Sequence, residues 1–210
     1  MPNRPSPPRY APDIPLPRYA YVPGHDLPHP VNDADGHSHG HAPQPSPLPS
    51  DAIARLPTEP ASRRRALATL LAADRRWHHA LDLFNEGFSW ESHEGWEHFW
   101  HALGRTTPEA RFVQGLIHLA AAAVKIREGK PAGVAKHTQR ARELLGRAGA
   151  ASEGGAEGSQ RFDAAARSLG LDPASLGAVV AELETYRAEC WHMSRFPVVK
   201  VLTAGLRLAG

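Results

Sequence analysis

The chain has a single cysteine, Cys190, among its 210 residues. That rules out an internal disulfide and fits a reducing compartment, so a cytoplasmic protein is expected. No apolar run approaches the ~18 residues of a membrane span. The N-terminus carries prolines where the apolar core of a secretory signal would sit. Neither a membrane nor an export route is therefore expected. Charge of one sign is also scarce: the formal net charge is +2, too small to argue for nucleic acid as a partner. The basic run Ser62-Arg63-Arg64-Arg65 most simply coats a solvated helix face. There is no Gly-rich phosphate loop and no Ser-nucleophile motif. Cys190 has His192 two residues on, but on a helix those side chains diverge, so no Cys–His dyad is expected. No run of alternating apolar residues predicts a sheet.

What is present is divided unevenly. Residues 1–50 hold 14 of the 20 prolines. Proline lacks a backbone donor and breaks helices, so this part reads as an extended arm without regular structure. It is not featureless. "LPRYAYVPGHDLPHP" groups Tyr19, Tyr21, Val22 and Leu27 with His25 and His29, and "DGHSHGH" adds His37, His39 and His41. Aromatics have little use on a free arm, so Tyr19 to Pro30 is expected to pack on the rest of the chain or on a partner. Alternating histidines on flexible chain can also bind zinc, nickel or copper weakly.

Residues 51–210 read as one multihelical domain. The first helix is expected over Ser62–Asn85, with Leu67, Leu70, Leu71, Trp77, Leu81 and Phe84 at helical spacing. The second starts after Ser89 as N-cap and ends near Gly104. The third has Thr107 as N-cap and Pro108 at its first position, and stops at Gly129. A fourth runs from Pro131 to about Ala148. "GAASEGGAEGS" (149–159) reads as a flexible loop. A last helix follows the Asp172 cap and Pro173, through "LDPASLGAVVAELETYRAECWHM". "FPVVKVL" (196–202) is a short strand or an extended tail. The fold class is all-α: a compact bundle of about five helices with a Pro/His-rich N-terminal arm.

The densest stretch is "SWESHEGWEHFWH" (89–101). At about 100° per residue, Trp96, Phe99, Trp100 and Leu103 form one apolar stripe, and His93 and Glu97 border it one turn apart. Glu94 points aside. Glu91 and His98 fall on the far side, in solvent. On the third helix, Gln114, His118 and Lys125, with small Ala121 between, run up one side of an otherwise apolar surface. A short connection makes the two helices antiparallel, so the two polar lines could face each other across a pocket walled by Trp and Ala. The plainer reading is a hydrogen-bonded His–Glu pair beside an aromatic core, with Lys125 reaching water along its stem.

"LFNEGFSWESHEGWEHFW" followed by "RFVQGLIHLAAAAVKIREGKPAGV" resembles the DUF309 family of bacterial and archaeal helical proteins. The matching motifs are Phe84, Asn85 and Gly87; His93, Glu94, Glu97 and Trp100; Gln114, Gly115, Leu116 and Ile117; and Gly129 with Gly133. They span roughly residues 65–148. Many members carry Gln where this chain has His118. The resemblance implies a compact helical bundle, and the family carries the label of a metal-dependent hydrolase.

Two functions follow. The first is a non-enzymatic binding module. Its polar pocket is centred on His93-Glu94-x-x-Glu97 and Gln114, with Asn85, Trp100 and Lys125 around it. Its ligand would be a small molecule, a peptide or a partner helix, a second copy of the chain included. The second is a metal-dependent hydrolase. There His93 and Glu97 ligate a divalent metal such as zinc, Glu94 acts as base, and His118 or an arm histidine is the third ligand. The zinc-protease motif has two imidazoles at i and i+4. Here the second position is Glu97, which can still ligate. Di-iron bundles need paired Glu-x-x-His motifs on separate helices, and this chain has none.

Overall fold

A computed structural model of the chain describes residues 8–41, 48–146, 155–186 and 197–209. Among them are eight helices: α1 (Ser50–Ala54), α2 (Pro60–Ala73), α3 (Arg75–Asn85), α4 (Ser89–Ala102), α5 (Pro108–Arg127), α6 (Pro131–Leu144), α7 (Gly155–Ser168) and α8 (Pro173–Glu184). The only β-type pairing among the described residues is an isolated bridge between Leu171 and Leu208. The all-α class holds. Among the described residues, no helix is long and apolar enough to cross a membrane.

Several boundaries differ from expectation for identifiable reasons. The helix predicted over Ser62–Asn85 is two helices, α2 and α3. Asp74 is extended at their junction (φ −92°, ψ 112°) and its carboxylate accepts from the Arg76 N–H. A short acid competes with helical hydrogen bonds and is favoured at a cap, so the chain breaks there. Glu59 caps α2 by accepting from Ala61 and Ser62, with Pro60 at the first position. Ser89 is the first residue of α4 rather than its cap; the cap position is Phe88, with no side-chain bond. Thr107 and Pro108 open α5 as predicted. The run 149–159 is helical from Gly155 onward, as the start of α7. Its glycines disfavour helix, but Phe162 and Ala166 are buried, and tertiary packing outweighs local propensity. The last helix ends at Glu184. Cys190, Trp191 and His192 lie outside the described residues. Residues 197–202 are in neither helix nor strand; residue 196 of that predicted stretch lies outside the described residues.

Helix α5 is the centre of the bundle, packed against α4 and α6 most extensively and against α7 and α8 as well. Its interior position Gly115 is what lets α6 come close. A Cβ there would lie 2.7 Å from the Leu145 side chain. Helix α4 packs on α3 through aromatic rings. Trp77 and Phe99 meet edge-on at 5.1 Å, and Phe84 lies 5.5 Å from Trp96. Trp77, Trp96 and Phe99 are fully buried. Each contributes roughly 2–3 kcal/mol through the apolar area it withdraws from water.

Two irregular segments are bound onto this bundle. In the arm, Ala11, Tyr19, Ala20 and Val22 are buried. The Asp82 carboxylate, from α3, accepts from the backbone N–H of Tyr10 and of Ala11, both at 2.8 Å. Arg9 pairs with it at 3.6 Å. In the C-terminal segment, Leu206 is buried and exchanges two hydrogen bonds with the Asn85 side chain. Glu182 accepts from Thr203 and Ala204. The segments also meet each other: Ala20 N–H donates to Pro197, and Leu208 N–H to the Tyr10 hydroxyl. Removing Asp82 leaves the Tyr10 and Ala11 N–H groups without their acceptor and takes the counter-charge from Arg9. Asp82→Ala should therefore lower stability by roughly 2–4 kcal/mol and speed proteolysis of the arm. Denaturant unfolding and timed digestion test this, and an arm cleaved at the wild-type rate would contradict it.

Candidate functional site

The dense helix α4 is partitioned by its neighbours. Trp96 and Phe99 enter the core against α3. Ser92, also buried, donates its hydroxyl to the Ala80 carbonyl of α3 at 3.0 Å. His93, Glu94 and Glu97 are left half-exposed. His93 Nδ1 lies 3.5 Å from Glu94 Oε1, and His93 Nε2 lies 3.9 Å from Glu97 Oε1. One ligand atom from each of the three falls within 4.8 Å of the others. Glu94 is thus beside His93, not turned aside. His93 Nδ1 is buried and has no hydrogen-bond partner.

On α5, Gln114, His118, Ala121 and Lys125 are the half-buried positions of an otherwise buried stretch. The polar line read from the sequence is therefore the accessible edge of this helix. His118 Nδ1 lies 2.9 Å from Nδ1 of His137, on α6. The His118 pKa is pushed down to about 4, first by burial and then by its neighbour His137. His137 is lowered as well, by burial and by Lys125 and Lys136. The charge of His93 contributes to both shifts, so α4 and the His118–His137 pair share one electrostatic neighbourhood. Lys125 donates to Glu128 at 2.6 Å. Its stem needs Gly133, where a Cβ would lie 2.9 Å from Lys125 Cγ. Lys130 also pairs with Glu128.

Two expected pocket residues are engaged elsewhere. Asn85 clamps Leu206. Trp100 donates its indole N–H to the Arg105 carbonyl, with the Arg105 guanidinium over its ring at 5.4 Å.

One reading of the winding is corrected. His98 is exposed as expected, but Glu91 is buried, not in solvent. The arm covers it. Glu91 Oε1 accepts from the Tyr21 N–H at 2.8 Å and lies 3.7 Å from His37 Nε2. Burial pushes its pKa up to about 7, against the opposing pull of the Tyr21 N–H and Arg127. Arg127 is buried too, and it donates to the Ala20 carbonyl. Sequence reasoning missed Glu91, Arg127 and His137. The buried aromatics of the arm were the one signal that something on the bundle lay beneath it. His137 gave no local signal, because its partner is nineteen positions away.

These features define an all-α bundle with a His/Glu cluster on α4 and a His–His pair joining α5 to α6. Residues 77–137 match the family model described as Domain of unknown function (DUF309). That interval runs from α3 into α6 and contains every member of the cluster, so the resemblance read from the motifs holds over this segment. No curated protein and no solved structure matches the chain.

Two titrations test this geometry. Glu91 has a raised folded pKa, so its favourable contribution is complete below its ordinary 4.5 and is lost as pH rises to about 7. Wild-type protein should lose stability relative to Glu91→Gln across that window, with a slope of at most about 1.4 kcal/mol per pH unit. His118 has a lowered folded pKa, so its contribution is present above 6.5 and lost as pH falls toward about 4. His118→Gln should remove that acid-side loss. Unfolding midpoints measured from pH 4 to 8 would show both effects, and parallel profiles for wild type and variants would contradict them.

Proposed function

We propose that this is a non-enzymatic binding module whose ligand is a divalent metal ion, held by His93, Glu94 and Glu97. The observation that supports this is the convergence of three donor atoms within 4.8 Å. Ligand atoms around a tetrahedral zinc stand roughly 3.3 Å apart. Small side-chain rotations would close the difference. An imidazole with two carboxylates suits zinc, manganese or iron. His93 Nδ1 is a buried nitrogen that makes no hydrogen bond and has Glu94 Oε1 3.5 Å away, and a cation between them would bind both.

The hydrolase reading draws on a different feature of the same cluster. Glu94 and Glu97 keep 42% and 38% of their side-chain surface exposed, so a metal held there would retain positions open to water, as catalytic zinc sites do. Bound there, the metal would supply Lewis acidity and an activated water. The reading is less favoured because Glu94, its expected base, sits among the ligands. The nearest other acid on α4, Glu91, is covered by the arm.

The Glu94→Gln variant separates the two. As a ligand, Glu94 should weaken zinc binding by roughly tenfold or more when changed, as should His93→Ala and Glu97→Ala. As a base, its change should leave binding intact. Calorimetric zinc titration of the full chain tests this, with His39→Ala/His41→Ala in the background to remove arm sites. Stoichiometric binding indifferent to all three α4 substitutions would overturn the assignment.

A further inference from the structure

The arm histidines do not simply lie on the surface. They close one side of a cleft of about 690 Å³ whose other side is α3 and α4. We propose that this cleft is a second binding site, for a small amphipathic organic anion with an apolar body and a single acidic head. It stands apart from the metal reading. Helix α4 lines it with Gly95, His98 and Phe99, which lie across the helix from His93.

The volume is that of a small-molecule site. Its walls are apolar, with Pro15 and Leu16 from the arm facing Leu83 and Phe99 of the bundle. Its ionisable groups are all basic, with Ser38 as a neutral polar neighbour. Arg18 and Arg76 line it, with three imidazoles from the arm (His37, His39, His41) and two from the bundle (His79, His98). No Asp or Glu is among the described residues that line it. The nearby acids are engaged. Asp74 pairs with Arg76. Asp82 holds Arg9 and the arm backbone. Glu91, 3.7 Å from His37 Nε2, is bonded to Tyr21.

Arg18 is the cation best placed to meet an acidic head. It is exposed, and it donates to the Asp35 carbonyl at 3.4 Å. His37 and His79 each keep a buried Nδ1 without a hydrogen-bond partner. Such atoms are costly unless something satisfies them, and a ligand in the cleft would. A metal fits less well. Five histidines line the cleft, yet the only described group of three or more candidate ligands within 4.8 Å of one another is the one on α4. The cleft imidazoles are spread around a cavity instead of converging on a point.

The test uses two fluorescent probes of similar shape on the full chain: anilinonaphthalene sulfonate, which is anionic, and phenylnaphthylamine, which is neutral. The sulfonate should bind at one saturable site and more tightly than the amine. Arg18→Gln should weaken the sulfonate roughly tenfold, the loss of one charge-assisted contact, and leave the amine nearly unchanged. His98→Glu, at an exposed helix position, should do the same by placing a carboxylate at the cleft. It keeps the test decisive if Arg18→Gln disturbs the arm. No saturable sulfonate binding, equal affinity for both probes, or indifference to both substitutions would overturn the proposal. So would displacement of the sulfonate by stoichiometric zinc that His39→Ala abolishes, which would make the cleft a metal site.

Discussion

A backbone amide withdrawn from water must find an acceptor, and a proline-rich segment cannot build a ladder to provide one. The bundle answers with side chains. Asp82 takes two arm N–H groups, Glu91 takes a third, and Glu182 takes two from the C-terminal segment. Asn85 both accepts from and donates to Leu206. Every one of these acceptors stands on a helix. The two irregular segments therefore take their shape from the regular part, one carboxylate or amide at a time.

The same rule separates the acids by role. Asp82 and Glu91, which accept backbone N–H groups of the arm, are buried and fix where it lies on the bundle. Glu94 and Glu97 have no such duty and remain half-exposed beside His93. Helix α4 thus carries, within seven residues, one acid that holds the arm and two that pair only with its own His93 among the ion pairs of the described residues. The aromatics between them make this possible. Trp96 and Phe99 bury the helix against α3, which fixes its rotation and so decides which acids face outward.

The sequence made the helix class, the Thr107–Pro108 start and the polar line of α5 legible, because each is a local pattern: a cap, a proline, a period. The same local logic placed His93 and Glu97 together. It failed where the deciding partner is remote. Glu91 looks like a solvated residue on any helical wheel, and only the distant Tyr21 N–H and the arm above it change that. The break at Asp74 was hidden because an acid in an apolar-periodic run resembles an ordinary helical position. The helix beginning at Gly155 was hidden by its glycines, since packing against α2 and α5 leaves no trace in local composition. Asn85 was placed with the pocket on its motif alone, and its bond to a residue 121 positions away was invisible.

The contact between His118 and His137 has one more consequence. Two neutral imidazoles can meet nitrogen to nitrogen only if one ring carries its proton at Nδ1 and the other does not. The ring that donates then has a bare Nε2, and the ring that accepts has a protonated one. Seen from outside, the pair presents one acceptor and one donor, set by a single choice. Reversing that choice exchanges both at once. Helices α5 and α6 are thus joined by a two-position register, in which the tautomer of one histidine dictates that of the other.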